Sequence, residues 1–255
     1  YWAQQTKRHR GMGKKMVGQI RDTFFFDLDG TLLPLDMDAF LEAYYIGITK
    51  RGVCESIHIT DGMEMFQKAV YAMIGNDGSM TNQQAFFETL EALSGTTMEQ
   101  LMPLMDDFYA GEFKTIKNCT YVEEDAVQTV KILKEKGYRL VLATQPLFPQ
   151  TATNQRIEWS GLCIDDFEYI SYYDNSHYCK PSPGYFTEIL DKLDLSAEQC
   201  YMVGNDARDD MSAMALGFEG YLLTNHLIGE IGKVTGCKKG DYSELLNLVK
   251  NLPRI

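Results

Sequence analysis

Phe24-Phe25-Phe26-Asp27-Leu28-Asp29-Gly30-Thr31-Leu32 is the stretch that decides how the rest of the chain is read. Three consecutive Phe in a short apolar run read as a strand buried on both faces. Where that run ends, two carboxylates stand two residues apart, and Gly30 permits a sharp change of backbone direction. Carboxylates at i and i+2 can converge on one cation or one reacting group. Strand ends in open α/β sheets are where such sites occur. The plainer alternative is a polar turn after a strand, since Asp-Gly is a common turn pair.

Outward from this junction, residues 36–115 carry helical spacing and are rich in Met, Phe and Tyr. Asp36-Met37-Asp38 is placed to cap a helix bearing Phe40, Leu41, Tyr44, Tyr45 and Ile48, and Thr81 to cap another bearing Phe86, Phe87 and Leu90. A third is expected over 97–113, with Leu101, Leu104, Met105 and Phe108 on one side. Gly75-Asn76-Asp77-Gly78 and Ser94-Gly95 separate these segments.

From Tyr121 the pattern changes to alternating helices and short apolar strands. Strands are expected at 139–143, 167–171, 200–203 and 220–223, and helices at 123–136, 151–160, 183–193, 209–216 and 242–252. Such alternation predicts an α/β fold with a doubly wound, Rossmann-like parallel sheet. The expected division is a core from residues 20–35 and 116–255, and an α-helical cap inserted over 36–115. Residues 1–19, whose first fifteen are polar and basic, are expected to be an N-terminal arm, native or left from expression.

Composition narrows the class. Hydrophobic residues at 45% and charged residues at 24% suit an ordinary globular chain with a real core. A net charge of -12 argues against a general nucleic-acid or anionic-membrane binder, because the phosphate-neutralising contribution is missing. A small anionic substrate needs only a local positive site. The six cysteines are scattered without a C-x-x-C pair, which favours reduced thiols over a disulfide framework or a zinc site. No apolar stretch reaches membrane-spanning length, and no signal-peptide pattern follows the basic start. A cytoplasmic location is the expectation.

Three further features fall at the ends of expected strands. Thr144 follows Leu140 to Ala143, Lys180-Pro181 lies after the strand near Phe167, and Gly204-Asn205-Asp206 with Asp209-Asp210 follows Tyr201-Met202-Val203. A nucleophilic carboxylate, a hydroxyl, an ammonium and an acidic cluster are the parts needed for metal-assisted phosphoryl transfer. Taken singly, Thr144 is a Thr ending a strand and Lys180 a solvated loop lysine. Asp209 reads as a solvated residue starting a helix. The four histidines are isolated and read as structural or solvated.

In this order, these four segments resemble the four motifs of the haloacid dehalogenase-like hydrolases, in the branch with a helical cap inserted after the first motif. The likeness covers residues 20–225. It implies that Asp27 attacks the phosphorus of a small phosphorylated metabolite. Asp29 would then be general acid to the leaving oxygen and later base toward water, roles that require environments separating the two carboxyls. It further implies that Thr144 and Lys180 serve catalysis, and that Gly30, Thr31, Thr144, Gln145 and Lys180 contact the phosphate or substrate. Mg²⁺ would be held by Asp27, Asp29 (through its carbonyl) and the acidic motif of Asn205, Asp206 and Asp210. Asn205 stands where many relatives have Asp. Either its amide oxygen or Asp206 serves the metal, and the charged residue is expected to matter more. A phosphomutase with the same nucleophile is the nearest alternative. A phospho-acceptor or binding protein without turnover is an alternative of a different class.

Overall fold

The computed structural model describes residues 21–255, so the N-terminal residues 1–19 discussed above lie outside the described part. Strand β1 (Thr23–Phe26) is flanked on one side by β2 (Arg139–Leu142) and β3 (Tyr169–Ile170), and on the other by β4 (Cys200–Gly204), β5 (Glu219–Leu223) and β6 (Lys238–Gly240). The sheet order is β3-β2-β1-β4-β5-β6, and every pairing is parallel. The order reverses at β1, so the crevice beyond the ends of β1 and β4 is the expected place for a ligand.

The Phe run occupies the centre because both faces of the sheet are covered. Phe24 and Phe26 pack into the core on one face with Leu140 and Leu142. Phe25 points to the other face, among Val141, Tyr185, Met202 and Leu222. Each side chain is 1% exposed or less, a burial worth about 1.5–3 kcal/mol per Phe. The flanking helices are α6 (Glu124–Lys136), α7 (Gln150–Trp159), α8 (Pro183–Leu193) and α9 (Tyr242–Asn251).

The α-helical cap is inserted between β1 and α6. It contains α1 (Met37–Lys50), α2 (Val53–Ile57), α3 (Gly62–Ile74), α4 (Asn82–Ser94) and α5 (Met98–Ala110), followed by a 3-10 segment over Glu112–Cys119. Asp36 caps α1, and Thr81 with Gln84 forms a capping box on α4. The chain leaves and re-enters the core side by side. Leu35 bridges Thr120, the Asp36 N–H donates to the Cys119 carbonyl at 3.0 Å, and that of Tyr121 to Pro34 at 3.2 Å. Across the interface, the fully buried Asn82 donates through Nδ2 to the carbonyls of Pro146 (3.2 Å) and Tyr178 (3.3 Å). The cap thus rests on the loops that follow β2 and β3.

Several boundaries differ from those expected. The helix anticipated over 97–113 stops at Ala110, because Gly111 leaves helical geometry (φ -113°, ψ -95°). The strand anticipated over 167–171 narrows to two residues at the sheet edge, preceded by a 3-10 turn over Ile164–Asp166. The helix anticipated over 209–216 is a turn followed by a 3-10 segment, Met211–Leu216. Its cause is local: Asp206 and Asp210 bond backbone N–H groups within the same loop and tighten it. Among the described residues no helix is long and apolar enough to cross a membrane, and all six cysteines are free.

Candidate active site

The four strand ends deliver their residues to one cleft. Ladder bonds extend one residue past the strands. The Asp27 N–H donates to the Val203 carbonyl at 3.0 Å, and the Ala143 N–H to the Phe26 carbonyl at 2.7 Å. Asp27 is thereby fixed between β2 and β4. A cleft of about 150 Å³ is lined by Asp27, Asp29, Met37, Thr144, Gln145, Lys180, Asn205, Asp206, Asp209, Asp210 and Ile228. A larger open groove of about 530 Å³ runs along the cap linkers, past Asp36, Tyr121 and His226. The smaller cleft, which gathers the ends of β1, β2 and β4 and the Asp27–Lys180 pair, is the candidate site.

Lys180 is the electrostatic centre. Its Nζ donates to Asp27 Oδ1 at 2.8 Å and to Asp210 Oδ1 at 2.6 Å, with all three side chains at least nine-tenths buried. Burial alone would weaken the ammonium's hold on its proton, but the two carboxylates outweigh it and keep Lys180 protonated well above the usual lysine range. Asp27 feels the reverse balance. Burial pushes its carboxyl up to about 7, against the pull of Lys180 and with help from the nearby charge of Asp210. Burial likewise raises Asp210, opposed by Lys180.

The remaining residues sort into those aimed at the cleft and those building its walls. Thr144 is 1% exposed, and its Oγ1 is buried without a hydrogen-bond partner, a donor awaiting an acceptor. Gln145 lines the cleft, and its amide braces the lysine loop, accepting from the Lys180 N–H at 2.9 Å and donating to the Lys180 carbonyl at 3.0 Å and to Asp209 Oδ2 at 3.4 Å. The N–H groups of Gly30 and Thr31 donate to Leu33 (2.8 Å) and Leu28 (3.1 Å), closing the turn, while the Thr31 hydroxyl reaches Asp27 Oδ2 at 3.4 Å. Asp209 is half-buried in the cleft rather than solvated, and burial raises its carboxyl.

The acidic motif has a definite internal logic. Asn205 Oδ1 accepts from Thr31 Oγ1 at 2.9 Å, while Nδ2 donates to the His226 carbonyl at 2.7 Å. The carbonyl of residue 226 explains why an amide stands here: a carboxylate oxygen in the Nδ2 position would meet it lone pair to lone pair. Gly30, at φ +77°, has to be Gly both for that angle and because a Cβ would collide with the Asn205 amide. Asp206 Oδ1 instead accepts from the N–H groups of Arg208 and Asp209, both at 2.8 Å. Gly204 is needed for a similar reason, since a Cβ there would strike the Asp210 carboxylate.

Sequence reasoning missed Arg156. This residue of α7 is completely buried and pairs with Asp29 Oδ2. A single Arg in a polar helical stretch carries no spacing signal.

Known proteins resemble this chain in sequence and in fold. The family model of the haloacid dehalogenase-like hydrolases matches residues 21–217. A phosphoglycolate phosphatase of Colwellia psychrerythraea is 25% identical over 218 residues, covering 81% of this chain and 85% of that protein. A D-glycero-β-D-manno-heptose-1,7-bisphosphate 7-phosphatase of Haemophilus ducreyi is 27% identical over 151 residues, 49% of this chain and 81% of that one. In fold, the chain is similar to a haloacid dehalogenase-type phosphatase from Thermococcus onnurineus (TM-score 0.55, 16% identity, 92% of this chain and 100% of that one). It is equally similar to a Bacillus subtilis chain described as such a hydrolase and bound to magnesium (TM-score 0.55, 17% identity, 91% and 100%). The chain belongs to the haloacid dehalogenase-like hydrolases.

Proposed function

We propose that this hydrolase cleaves a small phosphomonoester in two steps, with the phosphoryl group carried on Asp27. The observation that carries the reading is the convergence of Asp27, Lys180 and the unpartnered Thr144 hydroxyl in one cleft that Asp29 also lines. In the first step an Asp27 oxygen bonds to phosphorus, the bond to the leaving oxygen breaks, and Asp29 gives that oxygen its proton. In the second, water attacks the aspartyl-phosphate, Asp29 takes the water's proton, and phosphate leaves as Asp27 is regenerated. Thr144 donates to a transferring oxygen. Lys180 offsets the charge that builds on it.

The donor set fits Mg²⁺. Five carboxylates line the cleft against one lysine, and all the candidate ligands are oxygens. Among the described residues no cluster of three or more His, Cys, Asp or Glu side chains is arranged as a metal cage, so the ligands would be mixed. Asp27, the Asp29 carbonyl and Asn205 Oδ1 would hold the ion. Asn205 Oδ1 shares the Thr31 hydroxyl with Asp27 Oδ2, whereas Asp206, expected from sequence to matter more, turns Oδ1 into its own loop, and Asp210 serves Lys180. When bound, the cation lessens the repulsion between a carboxylate nucleophile and an anionic phosphate.

A cleft of about 150 Å³ lies below the roughly 300–1,000 Å³ of pockets for drug-sized ligands, which suits a small leaving group. The test is phosphate release from p-nitrophenyl phosphate with and without Mg²⁺, followed by a panel of phosphorylated metabolites. Release that depends on Mg²⁺ and vanishes in Asp27→Asn is expected. Release that survives in Asp27→Asn removes the assignment, and transfer to a second substrate site without free phosphate points to a mutase.

A further inference from the structure

Among the described residues, the buried side-chain polar atoms without a hydrogen-bond partner are Asp29 Oδ1, Thr144 Oγ1, Gln155 Oε1 and Arg156 Nε. Two belong to the cleft, and the other two are neighbours on α7. Arg156 is 0% exposed, which is rare for arginine. Desolvating a guanidinium is costly unless it is paired, and a well-packed apolar residue would stabilise such a position at least as well. Arg156 pairs with one acid, Asp29, through Nη1. Nη2 donates to Thr153 Oγ1 at 3.2 Å, and Cζ lies 4.4 Å from the centre of the Phe148 ring. Phe148 in turn packs against Tyr44 (5.5 Å), Phe40 (6.2 Å) and Phe113 (6.3 Å) from the insertion. Gln155 Nε2 donates to the Tyr109 carbonyl of α5 at 2.9 Å. One residue of α7 therefore grips the cap, and the next grips Asp29.

We propose that Arg156 is a positioning residue for Asp29, holding one carboxylate oxygen so that the other is presented for proton transfer, from a helix anchored against the cap. The inference rests on the phosphatase reading above. Asp27 sits in a separate arrangement, since its cation is Lys180. The guanidinium, its Cζ over the Phe148 ring and its Nη2 tied to Thr153 Oγ1, gives direction as well as charge, which an ammonium on a flexible stem does not. Removing it leaves the nucleophile and its lysine in place but frees Asp29 to rotate.

The experiment compares kcat/KM for p-nitrophenyl phosphate and phenyl phosphate in wild type, Arg156→Gln and Arg156→Lys, with thermal unfolding of each. Departure of p-nitrophenolate needs little protonation, whereas phenolate needs more. Misplacing the acid should therefore widen the ratio between the two substrates by about tenfold in Arg156→Gln, within the usual reach of general acid catalysis. Arg156→Lys should widen it less. In an Asp29→Asn background, adding Arg156→Gln should not change the ratio further. If Arg156→Gln does not fold, the ratio in Arg156→Lys decides. An equal loss on both substrates, or a further change in the Asp29→Asn background, overturns the proposal. Failure of the wild type to release phosphate from either compound counts against the phosphatase reading instead.

Discussion

Replacing Asp27 by Asn should stabilise the metal-free protein at neutral pH while abolishing phosphate release. Asp27 is 7% exposed, and burial lifts its carboxyl from 3.8 to about 7 despite the Lys180 ion pair. Between those two pH values the folded chain binds the proton more tightly than the unfolded chain does. Stability therefore falls as pH rises through that window, and the deficit is constant above it. Three pH units at about 1.4 kcal/mol each give a ceiling of about 4 kcal/mol at pH 8. The amide removes this penalty without orphaning the lysine, because Lys180 keeps Asp210 at 2.6 Å. A gain of about 1–4 kcal/mol corresponds to about 2–4 °C in Tm per kcal/mol for a chain of this size. The assay is thermal and urea unfolding of both proteins in EDTA, at pH 8 and at pH 4. The variant should win at pH 8 and tie at pH 4. Added Mg²⁺ should raise the wild type more than the variant. A variant that is less stable at pH 8, or equally favoured at both pH values, refutes the reasoning.

Magnesium titrations of activity should show Asn205→Ala raising the half-saturating concentration by about tenfold or more, with Asp206→Ala changing it little. Asp206→Ala should instead cost about 1–2 kcal/mol in urea unfolding, because it leaves two loop N–H groups without their acceptor. Iodoacetamide at pH 8 should modify the exposed Cys163 in the native protein and leave Cys179 and Cys200 until it unfolds, since burial pushes both of those thiols up to about 12; mass spectrometry reads this directly. Phe25→Ala, at a fully buried position, should destabilise the fold by about 3–5 kcal/mol in urea unfolding.

The sheet was legible because its signals are local. The Phe run, the short apolar strands and their spacing are properties of contiguous residues, and a strand buried on both faces has to look like Phe24-Phe25-Phe26. Strand β6 was not legible. It is Lys238–Gly240, only three residues, and its two lysines are exposed, so it carries neither alternation nor an apolar run. The loop after β4 misled for a related reason. Residues 209–216 have helical spacing, but the carboxylates of Asp206 and Asp210 compete for backbone N–H groups and leave only a 3-10 segment. Gln145 and Thr31 were placed in the right neighbourhood. Their partners could not be read, because a side chain beside a site can either face it or brace it.

Pairing was the least legible property of the site, and it matters most to the chemistry. Asp27 and Asp29 are two residues apart and alike in type, yet the opposite duties proposed for them require unlike environments. The fold supplies these with two cations from distant parts of the chain. Lys180, 153 residues from Asp27, is shared by that residue and Asp210. Arg156, 127 residues from Asp29, serves Asp29 among the acids. Burial raises the Asp27 carboxyl against the pull of the shared ammonium, and Lys180 holds one of its oxygens at 2.8 Å. A guanidinium lying over the Phe148 ring holds Asp29 by one oxygen. Spacing in a single sequence can show that two acids share a strand end. It cannot show which cation each one meets, because that choice is made by a sheet order that brings the ends of β2, β3 and β4 beside that of β1.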